Sequence, residues 1–195
     1  MARERAERPV ARSLRLFLAF DVSPDAADEV ERAIGAWRLE FPDARWVPRE
    51  NWHVTLKFLG QTWPRLERWV TDRARDAAAT AGPVASRLTH LGSFPSGTRG
   101  RVLWAGIDDD TGALAAVAAG LDEALRAEFR PETRAFAPHL TVARSDPPLR
   151  LPAAFARTAL QPVSFTVDRI VLFRSHLRRP APRYEPLGTF RLGAA

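Results

Sequence analysis

Two short runs of the chain carry the residue types that proton-transfer chemistry needs: His53, Val54, Thr55 and His139, Leu140, Thr141. In each, a histidine stands two positions before a threonine with an apolar residue between, the pattern of a β-strand with one polar face. In the first run (HVTLKFLG, 53–60), Val54, Leu56 and Phe58 are expected to face a core and His53, Thr55 and Lys57 the opposite side. In the second, Pro138, Leu140 and Val142 alternate with His139 and Thr141. Imidazole titrates near neutrality, so one ring can serve as base while another serves as acid. Two hydroxyls beside them supply hydrogen-bond donors for developing negative charge.

Chance explains the pairing poorly. Threonine fills 12 of 195 positions, so a given histidine has a roughly 6% chance of threonine two places on, and two hits among four histidines have a roughly 2% chance. The competing reading, a histidine satisfied by backbone carbonyls, suits a single match better than a matched pair. His90 and His176 lack the threonine and read as structural. No aspartate, glutamate or cysteine stands at ligand spacing near His53 or His139, so neither a metal nor another cofactor is expected. No Gly-x-Ser-x-Gly elbow offers a serine nucleophile. Arg144 and Lys57 offer charge neutralisation, against a reading of each as a solvated cation at a strand end. Phe17 offers a stacking surface for a base, against a place in the core.

Positioning these side chains requires strands, and the chain supplies them. Leu14, Leu16, Leu18 and Phe20 alternate as a strand. Ser23, Pro24 and Asp25 form a helix start, followed by a stripe of Val30, Ile34, Trp37 and Phe41 that ends near Pro42. Gly60 is expected to end the first His-x-Thr strand. Thr62 before Trp63 and Pro64 reads as a second cap, with the stripe Trp63, Leu66, Val70, Ala74 and Ala77. Strands over 84–91 and 101–107 flank a turn-rich loop, which predicts a hairpin. A helix capped by Asp110 or Thr111 then carries Leu114, Val117, Leu121, Leu125 and Phe129. After the second His-x-Thr strand come a proline-rich loop at 144–152, a strand at 163–173, a basic loop at 174–183 and a last strand near 185–192. The two motifs lie 86 residues apart, close to half the chain. The expected fold is α+β: two pseudo-symmetric lobes of antiparallel sheet with outer helices, facing across a cleft.

Composition bounds the rest. A 46% hydrophobic chain of 195 residues can bury a sizeable core, and it reads as one bilobal domain over 1–195 in which residues 1–12 form a flexible basic arm. There is no cysteine, which excludes disulfides and thiolate metal sites and fits a reducing cytoplasm. No stretch reads as a signal peptide or membrane span. The net charge of +6 attracts polyanions, yet 28 of the 29 basic residues are arginine in an alanine- and proline-rich chain, so composition bias accounts for much of it.

With these residues in hand, the chain resembles the two-histidine phosphoesterase superfamily, and within it the RNA 2′,3′-cyclic phosphodiesterases once called 2′-5′ RNA ligases. The resemblance is carried by RLFLA at 15–19, WVP at 46–48, NWHVTLKFLG at 51–60 and GSFP at 92–95. It continues through RVLW at 101–104, FAPHLTVAR at 136–144 and VLFRS at 171–175 ahead of Tyr184. The one departure is a longer basic amino-terminal arm. The resemblance implies a bilobal antiparallel fold, His53 as proton donor, His139 as proton acceptor, and Thr55 and Thr141 as phosphate-holding residues. It also implies an RNA with a 2′,3′-cyclic phosphate end, or a cyclic nucleotide, as substrate of a monomeric enzyme without a cofactor. Two alternatives stand beside hydrolysis: ATP-independent joining of tRNA halves, and non-catalytic binding of RNA ends through Arg174, Arg178, Arg179 and Arg183.

Overall fold

In a computed structural model, residues 13–194 are described, so the basic arm expected over 1–12 lies outside them. Nine strands and four helices follow in chain order: β1 (Leu14–Phe20), α1 (Pro24–Glu40), β2 (Arg45–Trp46), β3 (Val54–Thr62), α2 (Glu67–Thr80), β4 (Val84–Phe94), β5 (Arg99–Ile107), α3 (Ala113–Leu125), β6 (His139–Arg150), α4 (Ala153–Ala156), β7 (Ser164–Val167), β8 (Arg169–His176) and β9 (Arg183–Arg191). They form one antiparallel sheet in the order β7-β4-β5-β6-β3-β1-β8-β9, with β2 paired to β6. The two His-x-Thr strands, β3 and β6, are therefore central neighbours, and three further strands flank each: the two pseudo-symmetric halves expected of an α+β fold. Among the described residues no helix is long and apolar enough to cross a membrane.

The helices cover one face. α2 packs on α3 and on β8 and β9, and α3 packs on β3. α1 leans toward the other half, where Trp37 and Phe41 meet Phe155 of α4 and Glu29 accepts the Gln161 N–H at 2.7 Å. Beneath them Leu16, Leu18, Phe20, Val54, Leu140, Val142 and Leu172 are fully buried. The opposite face of the sheet is left for chemistry.

Local signals hold at the first helix, where Ser23 Oγ accepts the Ala26 N–H and Pro24 opens the helix. Three others differ. Gly60 does not end β3 but bends it, at φ 68°, a conformation that glycine adopts without penalty. Thr62 is not a cap; its hydroxyl donates to the Gly60 carbonyl. α3 is capped from one residue earlier than expected, because Gly112 turns left-handed at φ 70° and lets Asp109 accept the N–H groups of Leu114 and Ala115, both at 2.8 Å. Likewise β6 runs through the expected loop to Arg150, and the expected strand at 163–173 is split into β7 and β8.

A larger difference lies within the motif strands. Ala19 pairs with Thr55 and Leu18 with Lys57, so Leu56 is an extra residue, a β-bulge. The bulge reverses the alternation, and Lys57 turns into the helix-covered side, where it is 6% exposed, while Phe58 turns out and is 52% exposed. The same device recurs in β6, where Trp104 pairs with Thr141 and Leu103 with Ala143, leaving Val142 extra. Ala143 is thereby buried at the position equivalent to Lys57, and Arg144 emerges at the position equivalent to Phe58.

Lys57 therefore does not belong to the open face. Its ammonium pairs with Asp122 of α3 and donates to the Arg130 carbonyl at 2.7 Å, while Asp122 also accepts the Glu132 N–H at 2.8 Å. The pair ties the first motif strand to the segment that leads into the second. Removing one partner of a buried pair leaves the other charge uncompensated. Asp122→Ala is expected to lower the unfolding free energy by about 3 kcal/mol, whereas the double variant Lys57→Met/Asp122→Leu, which leaves neither charge behind, costs markedly less. Denaturant unfolding of the two variants checks this, and equal losses would contradict it.

Candidate active site

β3 and β6 share one ladder pair, Val54 with Leu140, both fully buried toward the helices. In an antiparallel pair the next residues on either side point to the other face and lie across from one another. That register sets His53 beside Thr141 and Thr55 beside His139. The strands then part. β2 and the Val47 N–H, bonded to the Val142 carbonyl at 2.8 Å, take over the edge of β6, and the chain loops through a turn at 49–51 back to His53. All four motif side chains are half-buried on one open face.

Both imidazoles are held in the same way. Nδ1 of His53 donates to the Asn51 carbonyl and Nδ1 of His139 donates to the Ala137 carbonyl, each at 2.8 Å. A carbonyl can only accept, so each Nδ1 carries its hydrogen and each Nε2 is left for a substrate. Two imidazoles with free Nε2 atoms, two hydroxyls and a cation are what proton transfer at a phosphoryl group requires.

Burial holds the pKa of both rings below the ordinary imidazole value, and the positive charge of Arg144 pushes both further down. The backbone bonds oppose this in part. His139 adds a smaller downward push on His53. The charge of Arg144 is thus felt at both histidines, and the bulge at Val142 is what turns this residue outward.

Phe17 is 3% exposed and presents no face to a base. It is instead the floor under His53, ring centroids 4.8 Å apart, and stacks on Phe173 at 5.2 Å. Tyr184 stands edge-on to both Phe17 and His53 at 5.1 Å. Around His139 the wall is Phe94, edge-on at 5.0 Å, and Trp104, which lies so close over Gly92 that a Cβ there would come within 2.2 Å of the indole. Asn51 also ties the site to the basic loop, its Nδ2 donating to the Pro182 carbonyl at 2.7 Å. Asn51, Phe94, Trp104 and Phe173 lie within the motif runs, which do not mark their roles, and Tyr184 follows the last run. His90 packs edge-on against Trp104, and His176 bonds Glu185 at 2.6 Å, apart from the motif pair. Among the described residues no three histidine, aspartate or glutamate side chains converge to hold a metal ion.

This constellation on a curled antiparallel sheet matches known proteins. The model of the 2′-5′ RNA ligase superfamily matches residues 24–179, which include both motifs. An RNA 2′,3′-cyclic phosphodiesterase of Methanothermobacter thermautotrophicus is 32% identical over 184 residues, covering 92% of this chain and 99% of that protein. One from Geobacillus stearothermophilus is 31% identical over 180 residues, 90% of this chain, but the chain spans only 56% of that protein's length. Among solved structures, TT0787 of Thermus thermophilus superposes with a TM-score of 0.78 at 26% identity, covering 92% of this chain and 98% of that one. Escherichia coli LigT complexed with 3′-AMP gives 0.72 at 26% identity with the same coverage. The chain belongs to the 2′-5′ RNA ligase superfamily and, within it, to the family of hydrolases named RNA 2′,3′-cyclic phosphodiesterase.

Because Arg144 depresses both imidazoles, Arg144→Gln is expected to raise the pKa of His53 and of His139 in the ligand-free protein. Following the two ring Cε1 protons by NMR across pH 4–9 checks it. A rise at one ring only would place the guanidinium away from the shared position.

Proposed function

We propose that this protein hydrolyses RNA 2′,3′-cyclic phosphate ends to 2′-phosphates without a metal, with His53 and His139 as the acid–base pair. The observation that carries this reading is the matched pair of Nδ1–carbonyl bonds, which leaves two Nε2 atoms on one face beside Thr55, Thr141 and Arg144. The names of the relatives and the nucleotide ligands of LigT support the substrate class.

A 2′,3′-cyclic phosphate is a strained diester. Opening it toward the 2′-phosphate requires that water lose a proton as it attacks phosphorus and that the departing 3′ oxygen gain one. In this proposal His139 takes the proton from water and His53 gives one to the 3′ oxygen. Thr55 and Thr141 donate to the non-bridging oxygens, and Arg144 neutralises the charge that gathers on them. Attack and departure occur in line, which suits two rings approaching from opposite strands.

Alanine at either His53 or His139 is expected to reduce turnover on the order of 10²–10⁴-fold with the fold retained. The assay is release of the 3′-hydroxyl from a short RNA with a cyclic end, with the product identified by which oxygen keeps phosphorus. Near-normal turnover by either variant would reject the reading, as would inhibition of the wild type by a chelator. Since burial and Arg144 hold both rings below the ordinary imidazole value, the bell of kcat/KM should centre on the acid side of that value. A bound phosphate anion stabilises the imidazolium, so the bell of kcat should lie at higher pH.

The division of roles has its own test. A cyclic phosphorothiolate with sulfur in place of the 3′ oxygen leaves without protonation. It should restore turnover to His53→Ala and not to His139→Ala; the reverse pattern would exchange the two roles.

A further inference from the structure

The open face carries a second cationic position that proton transfer leaves unused. The bulges place Phe58 and Arg144 at equivalent positions of the two motif strands, each three residues beyond the motif threonine. On one side the outward residue is itself an arginine. On the other it is an aromatic ring, and the guanidinium of Arg15 lies over it, 4.6 Å from the ring centroid. The two halves thus each present one cation, flanking the histidines.

Arg15 is held on that face by its register. It pairs with Gln61 of β3 and follows the alternation of β1 two residues from Phe17, the floor of His53. Two residues of strand cover about 7 Å, a step comparable to one nucleotide of an extended single strand. The charges of Arg15 and Arg144 both reach the Tyr184 hydroxyl, and the Tyr184 ring stands edge-on to His53 at 5.1 Å. Where β1 starts and β8 ends, a cavity of about 270 Å³ is lined by Ser13, Arg15, Gln61, Arg174, Ser175 and His176. Among the described residues no carboxylate forms an ion pair with Arg15 or Arg174. Glu185, the cross-strand partner of Arg174, is hydrogen-bonded to His176 and also feels the charge of Arg174 without forming an ion pair with it. Two guanidiniums with no ion pair among the described residues, and with an amide and hydroxyls around them, offer donors to a phosphate.

We infer that the cavity bounded by Arg15 and Arg174 is a second phosphate subsite, which takes the phosphodiester of the nucleotide next to the cyclic end and makes the protein select RNA strands over mononucleotides. The inference rests on the proposed function, since it places one end of the strand at the histidines. Phe58 keeps the Arg15 side chain in place before the strand arrives, so less side-chain freedom is lost on binding.

The test compares kcat/KM for a nucleoside 2′,3′-cyclic phosphate with that for a trinucleotide ending in the same cyclic nucleoside. The wild type should favour the trinucleotide, and Arg15→Gln should reduce that preference about tenfold, with Arg174→Gln acting in the same direction. A binding measurement accompanies it: affinity for a trinucleotide with a plain 2′-phosphate end, against salt. Loss of one phosphate contact should make the slope of log K against log salt shallower by about 0.7 in Arg15→Gln. Equal losses on both substrates, or an unchanged preference and slope, would overturn the subsite. Failure of the wild type to turn over either substrate would overturn the proposed function, and the binding slope would still decide the subsite.

Discussion

One cross-strand pair, Val54 against Leu140, holds the two halves of this molecule in the register on which its chemistry depends. Because side chains alternate along a strand, fixing those two residues inward fixes the residues on either side outward. Both histidines sit where their strands begin, His53 one residue before β3 and His139 the first of β6. At a strand start the backbone is free to turn the residue two positions earlier so that its carbonyl meets the ring. A slip of one residue between β3 and β6 would bring the motif residues out of alignment and point one set inward. The helix-side burial of Val54 and Leu140 opposes such a slip, and the Lys57–Asp122 pair, anchored to the segment before His139, reinforces it from below.

The paired bulges explain how a repeated motif can build a site that is not symmetric. The proposed hydrolysis asks different things of its two proton carriers, so a perfect two-fold arrangement would serve it badly. Here the backbone device is shared, an extra residue straight after each motif threonine, while the side chains that follow diverge. One strand buries a lysine and exposes a phenylalanine, and the other buries an alanine and exposes an arginine. Of the two motif strands only the one carrying His139 brings its own outward cation; beside the His53 strand the cation is Arg15 of β1. Both rings are backed by aromatics, Phe17, Tyr184 and Phe173 around His53 and Phe94 and Trp104 around His139.

The same bulges mark how far the sequence could be read. The histidines, the threonines and the strands that carry them follow from spacing, because a period of two survives until something interrupts it. A bulge interrupts it by one residue and inverts every inference downstream. That is why Lys57, two positions after Thr55, looks like a neighbour of the site and is not, and why Phe58 looks like core and is exposed. The second copy held the clue, since Val142 and Ala143 are consecutive apolar residues where strict alternation allows only one. Tyr184, Trp104 and Phe94 reach the site through strand pairings far apart in the chain, and no local pattern announces those. The cap at Asp109 escaped for a smaller reason: the left-handed turn at Gly112 lets a residue outside the usual position reach two amides.

The electrostatics of the site set a condition on how it can work. Burial and Arg144 both favour neutral imidazoles, yet an acid catalyst must carry a proton before the leaving oxygen departs. In the proposed mechanism the cation that draws in the phosphate is therefore also one that, together with burial, lowers the pKa of the rings. These demands are reconciled by the substrate. Its anionic phosphate offsets the field of Arg144 as it arrives, and the same charge, now close to both rings, favours adding one proton to one of them. The first proton then disfavours a second on the neighbouring ring, since two imidazoliums around one monoanion leave a charge in excess. One acid and one base are the arrangement that this balance selects, and the phosphate that needs them sets it.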